Sequence, residues 1–293
     1  MEASAITNVL LPLALGVIMF GLGLALSVAD FRRVAVYPRA VIVGLVIQML
    51  VLTGVAFGLA TLFRLPPELA VGLMLLAASP GGATANIFSH LARGDVALNI
   101  TLTAINSALS LLTLPLILNW SLDHFLGNGQ YIPPPVGKVI EVAAIILLPV
   151  VIGMIVRAKA PGFAPRMEKP IRVFAVIVLA ILIAGVLIQE WSKLGDALVS
   201  VGLACLAFNL VSMGAGYLVP IAIKVPHRRA IAVAMEIGIH NGTLAIFIAV
   251  NVLKSPDMSL APGIYSLIMF VTATVFIYIL SRRHTVDPAA ARA

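Results

Sequence analysis

Again and again along this chain, roughly 20 predominantly apolar residues run between short joints rich in Pro, Gly, Lys and Arg. That length, as a helix, crosses the ~30 Å of hydrocarbon in a bilayer, and no other feature restricts the fold so strongly. Nine such spans are expected, at about 5–28, 39–63, 67–91, 96–119, 137–157, 171–189, 197–223, 228–252 and 263–281. Composition agrees: 61% of the 293 residues are apolar and 11% are charged, against about 25% charged in soluble domains. The expected fold is an all-α polytopic membrane protein, residues 1–293 forming one transmembrane domain. The opening MEASAITN carries no basic n-region, so the first run reads as a retained span.

The formal net charge of +7 suggests nucleic acid at first sight. The basic residues lie in short clusters between apolar spans instead, and no nucleic-acid partner is expected. Fifteen of the 19 basic residues fall in the joints on one side and the tail: Arg32, Arg33, Arg39, Arg93, Arg157, Lys159, Arg166, Lys169, Arg172, Lys224, Arg228, Arg229, Arg282, Arg283 and Arg292. Only Arg64, Lys138, Lys193 and Lys254 fall on the other. The positive-inside rule places the first side in the cytoplasm, with the N-terminus outside and the C-terminus inside. Cys205 is the only cysteine, which excludes an internal disulfide and a cysteine-based metal cluster.

Two spans cannot be simple helices. The third, ELAVGLMLLAASPGGATANIFSHLAR, breaks at Ser79-Pro80-Gly81-Gly82; the eighth, RRAIAVAMEIGIHNGTLAIFIAV, breaks at His240-Asn241-Gly242. Aligning Gly82 with Gly242 also matches Ala70 with Ala230 and Ala85 with Ala245. The expected topology runs the two spans in opposite directions, as an inverted repeat requires. Pro80 removes a backbone donor, and the glycines release the chain from helical geometry. The half-helices that restart after each break present N–H groups and a partial positive charge to an anion. The half-helices that end before the breaks present carbonyls to a cation such as Na⁺.

Glu236 is the one acidic residue expected near the middle of a span. A charge there costs about 2.5–3.5 kcal/mol on insertion scales, so it needs a partner or a cation. Asn86 follows the first break, and Asn99 and Thr103 lie four apart on one face of the fourth span. Gln48 is another isolated polar residue at depth, and His240 sits beside the second break. Carboxylate, amide, hydroxyl and carbonyl oxygens suit a hard cation. The plainer readings are interhelical hydrogen bonding for the amides and a packed neutral imidazole for His240. His90 reads as interfacial, the Gly54–Gly58 pair as helix packing, and Glu141 near Lys138 as a paired outer end.

Three stretches carry a family resemblance: LGVIMFGLGLALSVADF (15–31), SPGGATANIFSHLARGDVALNITLT (79–103) and EIGIHNGTLA (236–245). On these the chain resembles the bacterial branch of the bile acid:sodium symporter family over nearly its whole length. The resemblance implies two crossing unwound helices in a core (about 67–119 and 197–281) beside a panel (about 1–63 and 137–189 in part). It implies alternating access by motion of one against the other, in a bacterial inner membrane. Many bacterial members have ten spans, and the resemblance implies that the nine expected here correspond to the family's second onward. One implied sodium site maps to Ala85, Asn86, Asn99, Thr103 and Glu236. A second maps to Gln48, Glu236, the carbonyls of Ile237 and Ile239, and His240. Three positions depart from relatives: Ala85 and Asn99 stand where Ser is found, and His240 stands where Gln is common. An imidazole can lose ligand strength by protonating near pH 6–7, so the second site is expected to be weaker or pH-dependent.

The reading is a sodium-coupled symporter importing a small organic anion, with Na⁺ as coupling ion and Thr84, Asn241, Gly242 and Thr243 contacting substrate. Besides bile acids, a 2-keto or hydroxy acid such as pantoate or pyruvate is an equal candidate. No obligate protein partner is implied beyond membrane lipid. The alternative is a proton-coupled transporter or cation/proton antiporter with Glu236 and His240 carrying protons. An intramembrane hydrolase would pair Ser79 with His240, but no nucleophile-elbow or metalloprotease motif accompanies them, and no enzyme is expected.

Overall fold

The structure, a computed structural model, describes residues 11–127, 136–189 and 191–284. The start of the first expected span, part of the joint before the fifth, and the tail after His284 with Arg292 lie outside those residues, as do the side chains of Lys138, Glu141, Arg282 and Arg283. Among the described residues the regular elements are all helical. In chain order they are α1 (Leu11–Ala25), α2 (Val28–Arg32), α3 (Pro38–Leu62, with a π-helical turn at Ile47–Val51), α4 (Pro67–Ala78), α5 (Ala83–Leu91) and α6 (Val96–Leu126). There follow α7 (Val136–Lys159), α8 (Phe163–Gln189), α9 (Trp191–Ala222), α10 (His227–Gly238), α11 (Gly242–Val252) and α12 (Leu260–His284).

Four helical stretches are long and apolar enough to cross a membrane: Pro38–Leu62, Val96–Leu126, Val201–Ala222 and Asp257–Leu280. A fifth is added if α1 and α2, bent by 65° through their joint, count as one span. The other expected spans fall on α7, α8 and the two broken pairs. Each half of a broken pair is too short to cross alone.

Local chemistry explains the bend after α1. Ser27 donates from its backbone N–H (2.7 Å) and its hydroxyl (2.6 Å) to Asp30, which also pairs with Arg33. The carbonyls that α1 leaves unpaired at Leu24 and Ala25 accept from the Arg157 guanidinium at 3.1 and 2.5 Å. The α1–α7 contact is close because it is made by glycine: a Cβ on Gly23 would strike the Val150 backbone, and one on Gly153 the Phe20 carbonyl.

The short helices α4 and α10 are the core. Every residue of Leu69–Ala78 and of Ala230–Gly238 is buried. A helix apolar all round belongs inside a protein, and here the apolar neighbours are other helices. The outer faces of α3, α6 and α12 are also apolar: Leu50, Leu112 and Val271 are 69%, 69% and 65% exposed. An apolar exterior around a partly polar centre inverts the soluble pattern and fits a lipid solvent.

The joints around the broken pairs repeat. Arg64 and Lys224 hold positive φ (49° and 63°), each two residues before the proline that precedes a 12-residue helix, Pro66 before α4 and Pro226 before α10. Arg93 and Lys254, also at positive φ (59° and 56°), follow α5 and α11. Non-glycine residues seldom adopt this conformation. Four of them at matching places mean that the same loop geometry was built twice, 160 or 161 residues apart.

Candidate functional site at the paired helix breaks

The two breaks meet. Gly81 and His240 pair as a short antiparallel bridge, and the Asn241 N–H donates to Pro80 O at 2.9 Å. A continuous α10 would have turned that N–H back to the Ile237 carbonyl, so the bridge frees the Ile237 carbonyl for another partner. Glycine is required at 81 by close approach: a Cβ there would stand 2.5 Å from Glu236 Oε1 and 2.6 Å from its carboxyl carbon.

Glu236, in the last turn of α10, is fully buried. Thr103 donates to its Oε2 at 2.6 Å and Asn106 Nδ2 to its Oε1 at 3.1 Å, both from α6. Hydrogen bonds to a charged group are worth about 1.5–3 kcal/mol each. Two of them are of the size needed to offset the ~2.5–3.5 kcal/mol insertion penalty of a carboxylate at depth. Asn99, one turn before Thr103, donates through Nδ2 to Ala232 O at 2.8 Å and so fixes α6 against α10 one turn below Glu236.

Gln48 sits in the π-helical turn of α3, a kind of irregularity common at functional sites. Its Nε2 donates to the carbonyls of Ala77 (3.1 Å) and Ser79 (3.3 Å), which the end of α4 leaves unpaired. On the other side Asn209 does the same for α10, donating to Gly238 O at 2.9 Å, where Tyr265 also donates at 2.9 Å. His240 places Nδ1 3.0 Å from Ser79 O. A carbonyl only accepts, so Nδ1 carries hydrogen and the neutral ring keeps its lone pair on Nε2. Phe208 stacks on that ring at 5.6 Å and Tyr265 meets it edge-on at 5.5 Å.

The amides leave a consistent residue of chemistry. With their nitrogens spent on carbonyls or on Glu236, Gln48 Oε1, Asn99 Oδ1, Asn106 Oδ1 and Asn209 Oδ1 are buried and without a hydrogen-bond partner among the described residues, as is Asn86 Oδ1. Buried polar atoms are seldom left so, and these five are acceptors; Asn251 Nδ2, on α11, is a buried donor in the same condition. Asn106 touches the Glu236 carboxylate, Asn99 and Gln48 brace the helices beside it, and such oxygens, without thiolates, suit a hard cation.

Thus Gln48, Asn99, Thr103, Glu236 and His240 come together around the paired breaks. Asn86 lies on α5, which packs on α10, but no hydrogen bond links it to Glu236. Of the residues expected to contact substrate, Thr84 and Asn241 flank Gly82: a Cβ there would lie 3.7 Å from Thr84 Oγ1 and 3.9 Å from Asn241 Cγ. The Asn241 side-chain oxygen caps its own helix, accepting from Leu244 N–H at 3.0 Å. Gly242 packs against Ser266 so closely that a Cβ would collide with its hydroxyl, and Thr243 is buried beside it. Asn106, Asn209 and Tyr265 were not anticipated from sequence. Asn106 had a signal, since it continues the Asn99–Thr103 face by three residues. Ser79 and His240 are adjacent, yet the imidazole meets the carbonyl of Ser79, and the Ser79 hydroxyl donates to Leu75 O at 2.9 Å.

With the helical fold and this cation-suited centre in view, relatives agree on the class. The Sodium Bile acid symporter family model matches residues 12–196. The chain is 30% identical over 240 residues to the Uncharacterized sodium-dependent transporter YocS of Bacillus subtilis (strain 168), covering 80% of this chain and 72% of that one. It is 30% identical over 238 residues to P3 protein of Mus musculus, 78% of this chain but 49% of the longer relative. It is 26% identical over 287 residues to the Ileal sodium/bile acid cotransporter of Oryctolagus cuniculus, 96% of this chain and 82% of that one. The chain belongs to the sodium bile acid symporter family. Membership puts it among membrane transporters and not among enzymes.

Proposed function

We propose that this protein is a Na⁺-coupled symporter that imports a small organic anion by alternating access. The observation that carries the reading is the buried Glu236, held by Thr103 and Asn106 where two helix breaks cross, with unpartnered amide oxygens around it. Na⁺ is a co-substrate here. One ion is held by Glu236, Thr103, Asn99 and Asn86; a second by Glu236, Gln48, His240 and the carbonyls of Ile237 and Ile239. The anion lies against the N-termini of α5 and α11, contacted by Thr84, Asn241, Gly242 and Thr243. Binding of Na⁺ neutralises Glu236 and so prepares the centre for an anion, which is why the two ligands are coupled.

The repeated joints and crossing breaks support an inverted repeat, in which α4–α5 and α10–α11 each make one span and the chain crosses nine times. In this reading the core of about 67–119 and 197–281 carries the site. The panel lies in 1–63 and 137–189 in part, with α1 packed on α7, and Gln48 ties α3 to the first break. The distribution of Lys and Arg supports an N-terminus outside and a C-terminus in the cytoplasm of a bacterial inner membrane.

The test is a thermal-stability screen of organic acids, including bile acids, pantoate and pyruvate, with Na⁺ or K⁺. A coupled substrate stabilises the folded protein more in Na⁺ than in K⁺. The hit is then followed as uptake into proteoliposomes. Uptake driven by a pH gradient with no Na⁺ present supports the proton-coupled reading instead, with Glu236 and His240 as carriers.

A further inference from the structure

Glu236 presents its two carboxylate oxygens to different surroundings. Oε2 accepts from Thr103 at 2.6 Å, and Thr103 lies one turn from Asn99, which binds Ala232 O one turn before Glu236. Oε1 accepts from Asn106 Nδ2 at 3.1 Å and lies against Gly81, where a Cβ would stand 2.5 Å away. Gly81 in turn pairs with His240. Asn106 and Gln48 line one small cavity together with Ala77, Ala78 and Pro80, so the Oε1 side is also the side of the first break and of Gln48. We propose that the carboxylate is divided between the two ions, Oε2 holding the first and Oε1 the second, and that Asn106 is a ligand of the second through Oδ1; this rests on the function proposed above.

The chemistry of each oxygen permits the division. A carboxylate oxygen has two lone-pair sites, so one hydrogen bond on each leaves one site on each for a cation. Two Na⁺ ions crowded on a single oxygen repel most strongly. On opposite oxygens they stand farther apart, with the same negative charge between them. Asn106 is fully buried, and its one amide serves two purposes. Nδ2 aims Oε1, while Oδ1 has no hydrogen-bond partner among the described residues. Gln48 repeats the arrangement: Nε2 binds the carbonyls of Ala77 and Ser79, and Oε1 is unpartnered. Such amide oxygens suit a hard cation. Asn106 follows Thr103 by three residues, so α6 gives one ligand to each ion from a single helix face.

The experiment counts radioactive Na⁺ bound to the purified, full-length protein by equilibrium dialysis at pH 8, in a background of K⁺. The wild type binds two ions. Asn106→Leu removes both Nδ2 and Oδ1; it weakens one ion by about tenfold or more and leaves the other within about threefold of wild type. Thr103→Val weakens the other ion, so the double variant holds both poorly. A change of packing alone does not sort the two variants onto different ions. Where Asn106→Leu does not fold, Asn106→Asp decides: it keeps an oxygen at that place and binds two ions, the second at least as tightly as the wild type. A folded Asn106→Asp protein that binds only one ion removes Asn106 from the ligands. An Asn106→Leu protein that weakens both ions alike, or neither, overturns the division and leaves the proposed function standing. A wild-type protein that binds a single ion, or none, overturns the two-ion reading together with it.

Discussion

The Thr103 hydroxyl lies 2.6 Å from Glu236 Oε2 across 133 residues of chain, and Asn99 O competes for it at 3.0 Å. One hydroxyl has one hydrogen, and the carboxylate is the stronger acceptor. Thr103 thus holds the carboxylate while its lone pairs stay available to an ion beside it. Thr103→Val keeps the volume and removes both roles. A charge-assisted bond is worth about 1.5–3 kcal/mol, so the Na⁺ concentration for half-maximal stabilisation rises by about tenfold or more. Thr103→Ser keeps Na⁺ binding near wild type, and Glu236→Ala retains no Na⁺-dependent uptake in proteoliposomes. Full Na⁺-driven uptake by Glu236→Ala is the result that removes the carboxylate from the mechanism.

Gly81 touches the same carboxylate from the opposite side. Besides the carboxyl contacts, a Cβ there would stand 2.8 Å from the main-chain oxygen of Glu236. Gly81→Ala therefore has to push the two breaks apart or turn Glu236 away from Thr103. Overpacking of this kind costs about 1–3 kcal/mol. The melting temperature falls, and the stabilisation by Na⁺ shrinks with it. Glu236→Asp withdraws the carboxyl by one methylene, so the double variant melts above Gly81→Ala alone. A Gly81→Ala protein with unchanged melting and unchanged Na⁺ response would contradict the close approach.

Much of this centre was legible in the sequence because breaking a helix in an apolar span needs visible chemistry. Pro80 with Gly81-Gly82, and Asn241-Gly242, marked both breaks, and Glu236 marked the buried charge. Asn99 and Thr103 were legible because four residues return to one helix face. Asn209 was not: a lone amide in an apolar span looks the same whether it is packing or capping, and its target, Gly238 O, is a main-chain atom 29 residues away. Nor was the pairing of Gly81 with His240, because sequence shows that two helices break and not that the breaks touch. The orientation of His240 was hidden for a related reason, since its partner is again a backbone carbonyl.

Gln48 and Asn209, 161 residues apart, cap the ends of α4 and α10 and so hold the two breaks open. Removing one such amide leaves buried carbonyls short of a donor, at about 1–3 kcal/mol. Gln48→Leu strips Ala77 O of its side-chain donor and leaves Ser79 O to His240, whereas Asn209→Leu leaves Gly238 O to Tyr265. Distant sites add, but these breaks are joined through Gly81 and His240. The double variant is therefore expected to differ from the sum of the singles by more than about 0.5 kcal/mol, measured by denaturation in detergent. Strict additivity would mean that each break is braced independently.

His240 offers the clearest pH experiment. Its Nδ1 hydrogen is held by Ser79 O, so the only change left to the ring is protonation at Nε2, the atom with a lone pair to give to an ion. A proton there removes the ligand and adds a positive charge beside the second Na⁺, and both effects weaken binding as pH falls. Half-saturation by Na⁺ therefore lies at higher concentration at pH 5.5 than at pH 8. His240→Gln can donate to Ser79 O and present an amide oxygen that takes no proton, which leaves Glu236 as the titratable ligand. Its Na⁺ curves at the two pH values lie closer together than those of the wild type, and its uptake is at least as steeply dependent on Na⁺. Wild-type curves that superimpose at pH 5.5 and pH 8 would mean that Nε2 takes no proton across that range, and would overturn a pH-dependent second site.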